Sequence, residues 1–234
     1  MSEILYNILE STACWGVLVT LGGYGIGLII QRRTGQAYFN PMLICTVSII
    51  GFLAVTGIPY TEYRSSASPI SYLLLPGTVC LAIPLYEQLE LLKKNIVAII
   101  AGIFAGTLTS LGSVIALAKI LKLSRVQAVT LLPKSVTTAI GMEVSSALGG
   151  IAPLSAAIII MTGMAGHLLA GWLFKILNIT DPLAKGVALG TTSHALGTAK
   201  AIEMGEVEGA MSGLAIAVAG IMTAILAPIA STFL

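Results

Sequence analysis

Charge is what this sequence has least of. Twelve Lys and Arg and ten Asp and Glu make up only 9% of the 234 residues, whereas a soluble domain carries about 25%. A net charge of +2 leaves no basic footprint for nucleic acid. Aromatic residues are also scarce, at 6%. Cysteine occurs three times, at Cys14, Cys45 and Cys80, each in an apolar run and with no CxxC pair. An odd count without paired spacing excludes a disulfide framework and a thiolate zinc site. The two histidines, His167 and His194, stand far apart with no cysteine near, so no metal site and no cofactor are expected. No P-loop, nucleophile elbow or dinucleotide fingerprint occurs, and nothing points to an enzyme. The N-terminus, MSEILYNILE, has no basic leader and no small-residue cleavage site, so no cleavable signal is expected.

What is present is oil. The chain is 56% hydrophobic, with a mean hydropathy of +0.98. A helix that crosses a bilayer needs about 20 apolar residues. Stretches of that kind run from Ser11 to Ile30, Pro41 to Ile58, Asn95 to Ala118, Ile151 to Leu177 and Gly209 to Ala230. Three others are interrupted by Pro, Gly or polar residues: Pro69 to Tyr86, Val126 to Leu148 and Leu183 to Glu206. The expectation is an all-α polytopic membrane bundle of about eight segments, some of them discontinuous or re-entrant. It forms one integral membrane domain, 1–234. Residues 1–118 read mainly as scaffold and 119–234 as the region of the site. Lysines and arginines lie on both sides, so the positive-inside rule does not fix the orientation.

The most informative interruption is LLPKSVTTAIGMEVSSALGG, residues 131–150. Polar groups at membrane depth are costly unless they face protein or water, so they mark a functional site. Pro133 cannot continue a helix but suits the first turn of the next one. The pattern predicts a short helix to Leu132, a break at Pro133-Lys134, and a half-helix from Ser135. The free N–H groups of such a half-helix, with Lys134 beside them, make an anion-binding end.

The interruptions repeat. Leu74 to Ile83 and Leu131 to Ile140 both read LLPx[ST]VxxAI, and Thr137–Gly141 aligns with Ser193–Gly197 at a shift of 56 residues, which also sets Gly149 on Gly205. Paired broken helices in internal repeats are the sequence pointer to a transporter binding site.

The candidate site follows. Lys134 is the candidate for an anionic carboxylate; its alternative is snorkelling toward the interface. Ser135, Thr137 and Thr138 supply hydroxyls, and Thr138, Gly141 and Ser145 share a helix face, unless these hydroxyls only bond the preceding turn. Thr191, Thr192, His194 and Thr198 are the counterparts in the second repeat, with Gly190 to Ser193 expected to be unwound. Glu143, a carboxyl in an otherwise apolar stretch, is the candidate for carrying a coupled proton, with His194 second. His167, alone on an apolar helix, reads as structural.

At PKSVTTAIGMEVSSALGG (133–150) and GTTSHALGTAKAIEMGEVEGAMSGLA (190–215) the chain resembles the LrgB/CidB family of bacterial membrane proteins, and the likeness extends over nearly the whole length. Ala139 departs from the proline expected there in many relatives, which leaves the first turn of the half-helix less rigid. The resemblance implies an antiholin-like modulator of murein hydrolase activity and autolysis, acting with a smaller holin-like partner of the LrgA/CidA type. The plant plastidial glycolate/glycerate translocator looks like a fusion of both partners. That likeness implies transport of small hydroxy- or keto-acid anions such as glycolate, glycerate, lactate or pyruvate. Two functions are therefore expected to compete: a secondary carrier of small carboxylates in the cell (inner) membrane, and a regulator of cell-wall hydrolases. Mid-membrane polar residues favour the carrier, because an interaction module has no need of them. A scaffold and homo-oligomer interface is expected from the Gly/Ala-rich span Asn95 to Ala118 together with the first two spans.

Overall fold

The computed structural model describes residues 14–34, 41–73, 76, 79–80 and 82–234. Residues 1–13, 35–40 and most of the LLPGTVCLAI copy of the repeat lie outside the described residues. The elements are α1 (Trp15–Thr34), α2 (Pro41–Thr56), α3 (Tyr60–Ser66), α4 (Ser68–Tyr72), α5 (Ala82–Glu87), α6 (Leu89–Ile120), α7 (Arg125–Leu131), α8 (Thr138–Ala147), α9 (Ala152–Ile176), α10 (Pro182–Met204) and α11 (Glu206–Ser231). No strand occurs among the described residues. The protein is an all-α membrane bundle, in which α6, α9 and α11 are long and apolar enough to cross a bilayer.

Two compact units divide the chain near residue 80. In the first, α1 and α3 are tied at their polar ends: Gly16 N–H donates to Ser66 Oγ at 3.1 Å, and Thr20 Oγ1 and Tyr63 Oη lie 2.7 Å apart. Trp15 packs between Phe52 and Tyr63, with ring centroids about 6 Å away.

The second unit, from 81 onward, is built from two helix-plus-hairpin repeats of opposite direction. The contacts give the directions. Leu132, at the end of α7, packs with Leu111 and Val114 of α6. The chain then turns back. Gly141 of α8 lies against the Pro133 carbonyl, and Ile151 N–H returns to Thr130 Oγ1 at 2.9 Å. So α7 and α8 enter and leave on one side and form a re-entrant hairpin. Helix α9 then crosses, and α10 starts on the opposite side.

Helix α10 is itself a hairpin. At His194 the backbone takes φ 43° and ψ −134°, a conformation uncommon for a residue with a side chain and costing about 1–3 kcal/mol. Beyond it the chain reverses: Gly197 lies against the Leu189 carbonyl, and Ala201 joins Leu189, Ala170 and Phe174 in one core cluster. The limbs 182–193 and 195–204 therefore run antiparallel. Helix α11 crosses beside them, with Gly186 against the Glu208 carbonyl, Gly190 against that of Ser212, and Thr198 Oγ1 2.7 Å from Ser212 Oγ. The result is α6 plus a hairpin from one face, then α9 plus a hairpin from the other. This is the inverted-topology repeat of many carriers, at the 56-residue spacing read from the sequence.

The break at Pro133-Lys134 lies where the sequence put it, but the start of the following half-helix and the second interruption do not. The half-helix of the first hairpin starts at Thr138, with extended Thr137 (ψ 150°) as its N-cap, rather than at Ser135. Pro133 explains the delay. Its ring stops α7, and its carbonyl then accepts from Val136 N–H at 3.4 Å while Lys134 N–H bonds Leu131 O at 3.1 Å. That extra turn occupies Leu132 to Val136. In the second hairpin Gly190 to Ser193 stay helical, and His194 alone makes the bend. Gly190 and Gly197 serve close approach of backbones and do not loosen the helix.

Candidate functional site

The tip of the first hairpin meets α6 through hydroxyls. Ser110 Oγ donates to Ser135 Oγ at 2.9 Å. The Lys134 ammonium donates to Ser135 Oγ at 3.1 Å and Ser110 Oγ at 3.3 Å. Lys134 is half-buried, and among the described residues no carboxylate lies within ion-pair reach of it. An ammonium has three donors, so one N–H of Lys134 is left to point elsewhere. Desolvating a cation without a counter-charge is expensive.

The second hairpin reaches the same helix one turn away. A Cβ at Gly106 would stand 2.8 Å from Thr191 Cγ2, and Gly106 and Ser110 are i and i+4 on α6, hence neighbours on one face. Thr191 is only 3% exposed, and its hydroxyl has no hydrogen-bond partner. The same is true of Thr107, also 3% exposed and one residue along from Gly106. An unsatisfied buried hydroxyl costs about 1–3 kcal/mol. Along α6, Thr107 lies three residues before Ser110, and Thr191 packs against Gly106, four residues before it.

The two tips also share Ile159 of α9. Its side chain fills the space against Gly141, and its carbonyl lies 2.9 Å from His194 Nε2. A carbonyl only accepts, so Nε2 carries a proton and donates. His194 is 4% exposed, and a Cβ on Gly163 would meet its ring at 2.6 Å. The imidazole is thus clamped between α9 and the bend that it makes. His167 Nδ1 lies 3.1 Å from the Leu196 carbonyl, which fits the structural role read from the sequence.

The other candidates have separate places. Ser135 is 6% exposed and belongs to the Lys134 cluster. Thr137 and Thr138 are half-buried at the start of α8, and neither hydroxyl caps the helix. The free N–H groups of α8 are those of Thr138 to Ile140, because Gly141 N–H already bonds Thr137 O at 2.8 Å; the expectation of helix donors at Ser135 to Thr137 is corrected accordingly. Thr192 is exposed and back-bonds to Ala188 O at 2.7 Å. Thr198 is engaged with Ser212. Glu143 is exposed, on the face of α8 away from buried Gly141 and Ser145, and Lys200 pairs with Glu203 at 2.9 Å. Ser145 is bonded by Ser155 Oγ at 2.7 Å, and that hydroxyl lies 2.7 Å from the Thr130 carbonyl as well.

Two residues escaped the sequence reading. Ser110 and Thr107 lie in the span that looked like plain packing surface. The signal was there: the run Thr107, Thr109, Ser110 and Ser113 is a polar patch in the middle of an apolar helix.

Residues 20–233 match the LrgB-like family. The chain is 38% identical over 224 residues to "Antiholin-like protein LrgB" of Bacillus subtilis (strain 168), covering 94% of this chain and 97% of that protein. It is 37% identical over 224 residues to the proteins of the same name from Bacillus mycoides (strain KBAB4) and Bacillus cereus (strain B4264), covering 95% of this chain and 97% of each. No solved structure matches. With both the family match and these relatives spanning nearly its whole length, the chain belongs to the LrgB-like family.

Proposed function

We propose that this chain is an antiholin-like protein of the bacterial cell (inner) membrane whose molecular activity is the carriage of a small carboxylate anion. The antiholin-like part is supported by the name shared by its relatives at 37–38% identity, and that name bears on it more directly than on transport. The carriage is supported chiefly by one observation: Lys134, at the tip of a re-entrant hairpin, holds a charge matched only by two hydroxyls. A carboxylate supplies the missing charge. The α8 N-terminus offers the orphan N–H groups of Thr138 to Ile140 as further donors. The hydroxyls of Thr191 and Thr107 suit the hydroxyl or keto oxygen of a 2-hydroxy or 2-keto acid. Inverted repeats with tips at one depth suit alternating exposure of such a site.

The test is uptake of labelled glycolate, glycerate, lactate and pyruvate into proteoliposomes. Concentrative or exchange uptake of at least one is expected, and none above protein-free vesicles refutes carriage.

The second reading is a regulator that controls cell-wall hydrolases by contact with a holin-like membrane partner and moves no solute. The relatives' name favours it. It predicts that Lys134→Met, which keeps bulk and removes charge, leaves control of autolysis intact. Carriage predicts that uptake and control are lost together.

A further inference from the structure

A cleft lies between α6 and the 182–193 limb of α10, with a volume of about 510 Å³, well inside the usual range for small-molecule sites of about 300–1,000 Å³. Asn95 and Asp181 stand at one end, and Gly106 and Thr191 at the other. The two helices run parallel here, since Gly102 faces Val187 and Gly106 faces Thr191. From residue 95 to residue 106 of α6 is about 16 Å at 1.5 Å per residue, roughly half of the ~30 Å hydrocarbon core. Counted from Asn95, where the apolar stretch of α6 begins, the cleft thus reaches about halfway along that stretch. Small side chains hold it open: Ala98, Gly102, Ala184 and Ala188 all line it. It stops at Thr191, whose buried hydroxyl is unpartnered, one helical turn from Ser110 and its bond to Lys134.

The acidic side chain at the mouth, Asp181, is the N-cap of α10: it accepts from Ala184 N–H at 3.0 Å, and the positive end of that helix offsets part of its charge. Lys94 precedes Asn95, and Lys185 follows Ala184. The corresponding region between α9 and the first hairpin is closed. There Ser155 Oγ bridges the Thr130 carbonyl and Ser145 Oγ, each at 2.7 Å. The repeats are alike in topology and unlike in access.

We propose that this cleft is the entry by which the small anion reaches Lys134 from the face bearing Asn95 and Asp181, with the Thr191 hydroxyl as its first polar contact inside the membrane. The inference rests on the carrier reading and adds to it a path, a side and a first contact.

Cysteine labelling tests it. Cys14, Cys45 and Cys80 are replaced, and Gly102→Cys and Ala188→Cys are placed singly in the cleft, with Ile221→Cys on the exposed apolar face of α11 as the control. A Cβ at Gly102 meets only Val187 Cγ1, at 3.5 Å, so that variant is expected to fold. The probe is a membrane-impermeant sulfonate-bearing methanethiosulfonate, applied to vesicles of one orientation. Both cleft cysteines should react from one face only and at least tenfold faster than Ile221→Cys. Pyruvate or glycolate should slow the reaction, and in a Lys134→Met background that protection should vanish while the reaction itself persists. Cleft cysteines no more reactive than the control, or reactive without protection by any carried anion, overturn the entry. Uptake by the wild type with inert cleft cysteines sinks this inference alone. Absence of uptake together with unprotected labelling sinks the carrier reading as well.

Discussion

Lys134→Met is the most decisive perturbation, because binding and stability should move apart. The ammonium donates to Ser110 and Ser135 at 3.3 and 3.1 Å, yet these two hydroxyls also bond each other at 2.9 Å. Removing the ammonium therefore leaves neither of them orphaned. It also removes a half-buried charge that has no carboxylate beside it. The expected change in folding stability without ligand is within about 1 kcal/mol, in either direction, since two hydrogen bonds to a charged group are traded against its desolvation. Binding should behave differently. Truncating one partner of a desolvated charge pair costs about 2–5 kcal/mol, which is about 30-fold to several-thousand-fold in affinity. A ligand present at 100 times its dissociation constant stabilises the fold by about 2.7 kcal/mol. In a chain of this size that is roughly 5–10 °C in Tm by the scaling of soluble domains. The assay is thermal denaturation of purified protein in detergent, with and without glycolate, lactate or pyruvate, beside uptake in proteoliposomes. The variant should match the wild type without ligand and show no ligand shift. Lys134→Arg should bind poorly too, because a planar fork does not replace a compact ammonium between two hydroxyls. A ligand shift of wild-type size in Lys134→Met would mean that the anion binds elsewhere.

Further outcomes follow from the same geometry. Gly163→Ala places a methyl 2.6 Å from the His194 ring and should destabilise by about 1–3 kcal/mol, whereas Gly171→Ala, with nothing within 4 Å, should be neutral or stabilising by up to about 1 kcal/mol; paired melts check both. Ser155→Ala removes the hydroxyl that links the Thr130 carbonyl to Ser145 Oγ, leaving the buried Ser145 hydroxyl without that partner, and should cost about 1–3 kcal/mol, read by denaturation. Glu143→Gln should leave exchange of one anion for another intact, since Glu143 is exposed on the face of α8 away from Gly141 and Ser145; loss of exchange would place its carboxylate in the site. Crosslinking in membranes should recover a homo-oligomer, and recovery of monomer alone refutes it.

Much of the architecture was legible because a bilayer penalises exceptions. Pro133, Lys134 and the hydroxyls after them could not sit in an ordinary spanning helix, so their place in the sequence announced a break. The boundaries were less legible. A proline marks where one helix stops, and the residue that starts the next depends on the turn between them; here Val136 and Lys134 bond back across that turn and move the start to Thr138. The glycines around His194 looked like points of weakness. In the structure several of them are points of contact, with Gly190 against Ser212 and Gly197 against Leu189. Sequence alone does not separate these two uses, because both need only the missing Cβ. Ser110 was overlooked for a related reason: a serine within an apolar span usually bonds its own preceding turn, and only the tertiary meeting with Ser135 gives it another task.

The inverted repeats put different chemistry at equivalent positions, and that difference carries the functional argument. At a shift of 56 residues Thr138 corresponds to His194, Ser135 to Thr191 and Thr137 to Ser193. In the second hairpin His194 makes the bend itself and is held by the Ile159 carbonyl. In the first, the Pro133 turn makes the bend, and Thr138 is left at the head of a free helix end. One tip is thus fastened to α9, while the other offers an ammonium and unpaired N–H groups. A purely structural repeat would gain most from fastening both tips, since buried donors and charges without partners cost stability. The molecule leaves those groups open at the depth where the hydroxyls of Thr107 and Thr191 are also unpaired. Under the carrier reading proposed above, a small hydroxy- or keto-carboxylate would set its charged end against Lys134 and its hydroxyl or carbonyl oxygen against Thr191, and carriage that survives loss of the Lys134 charge refutes that reading.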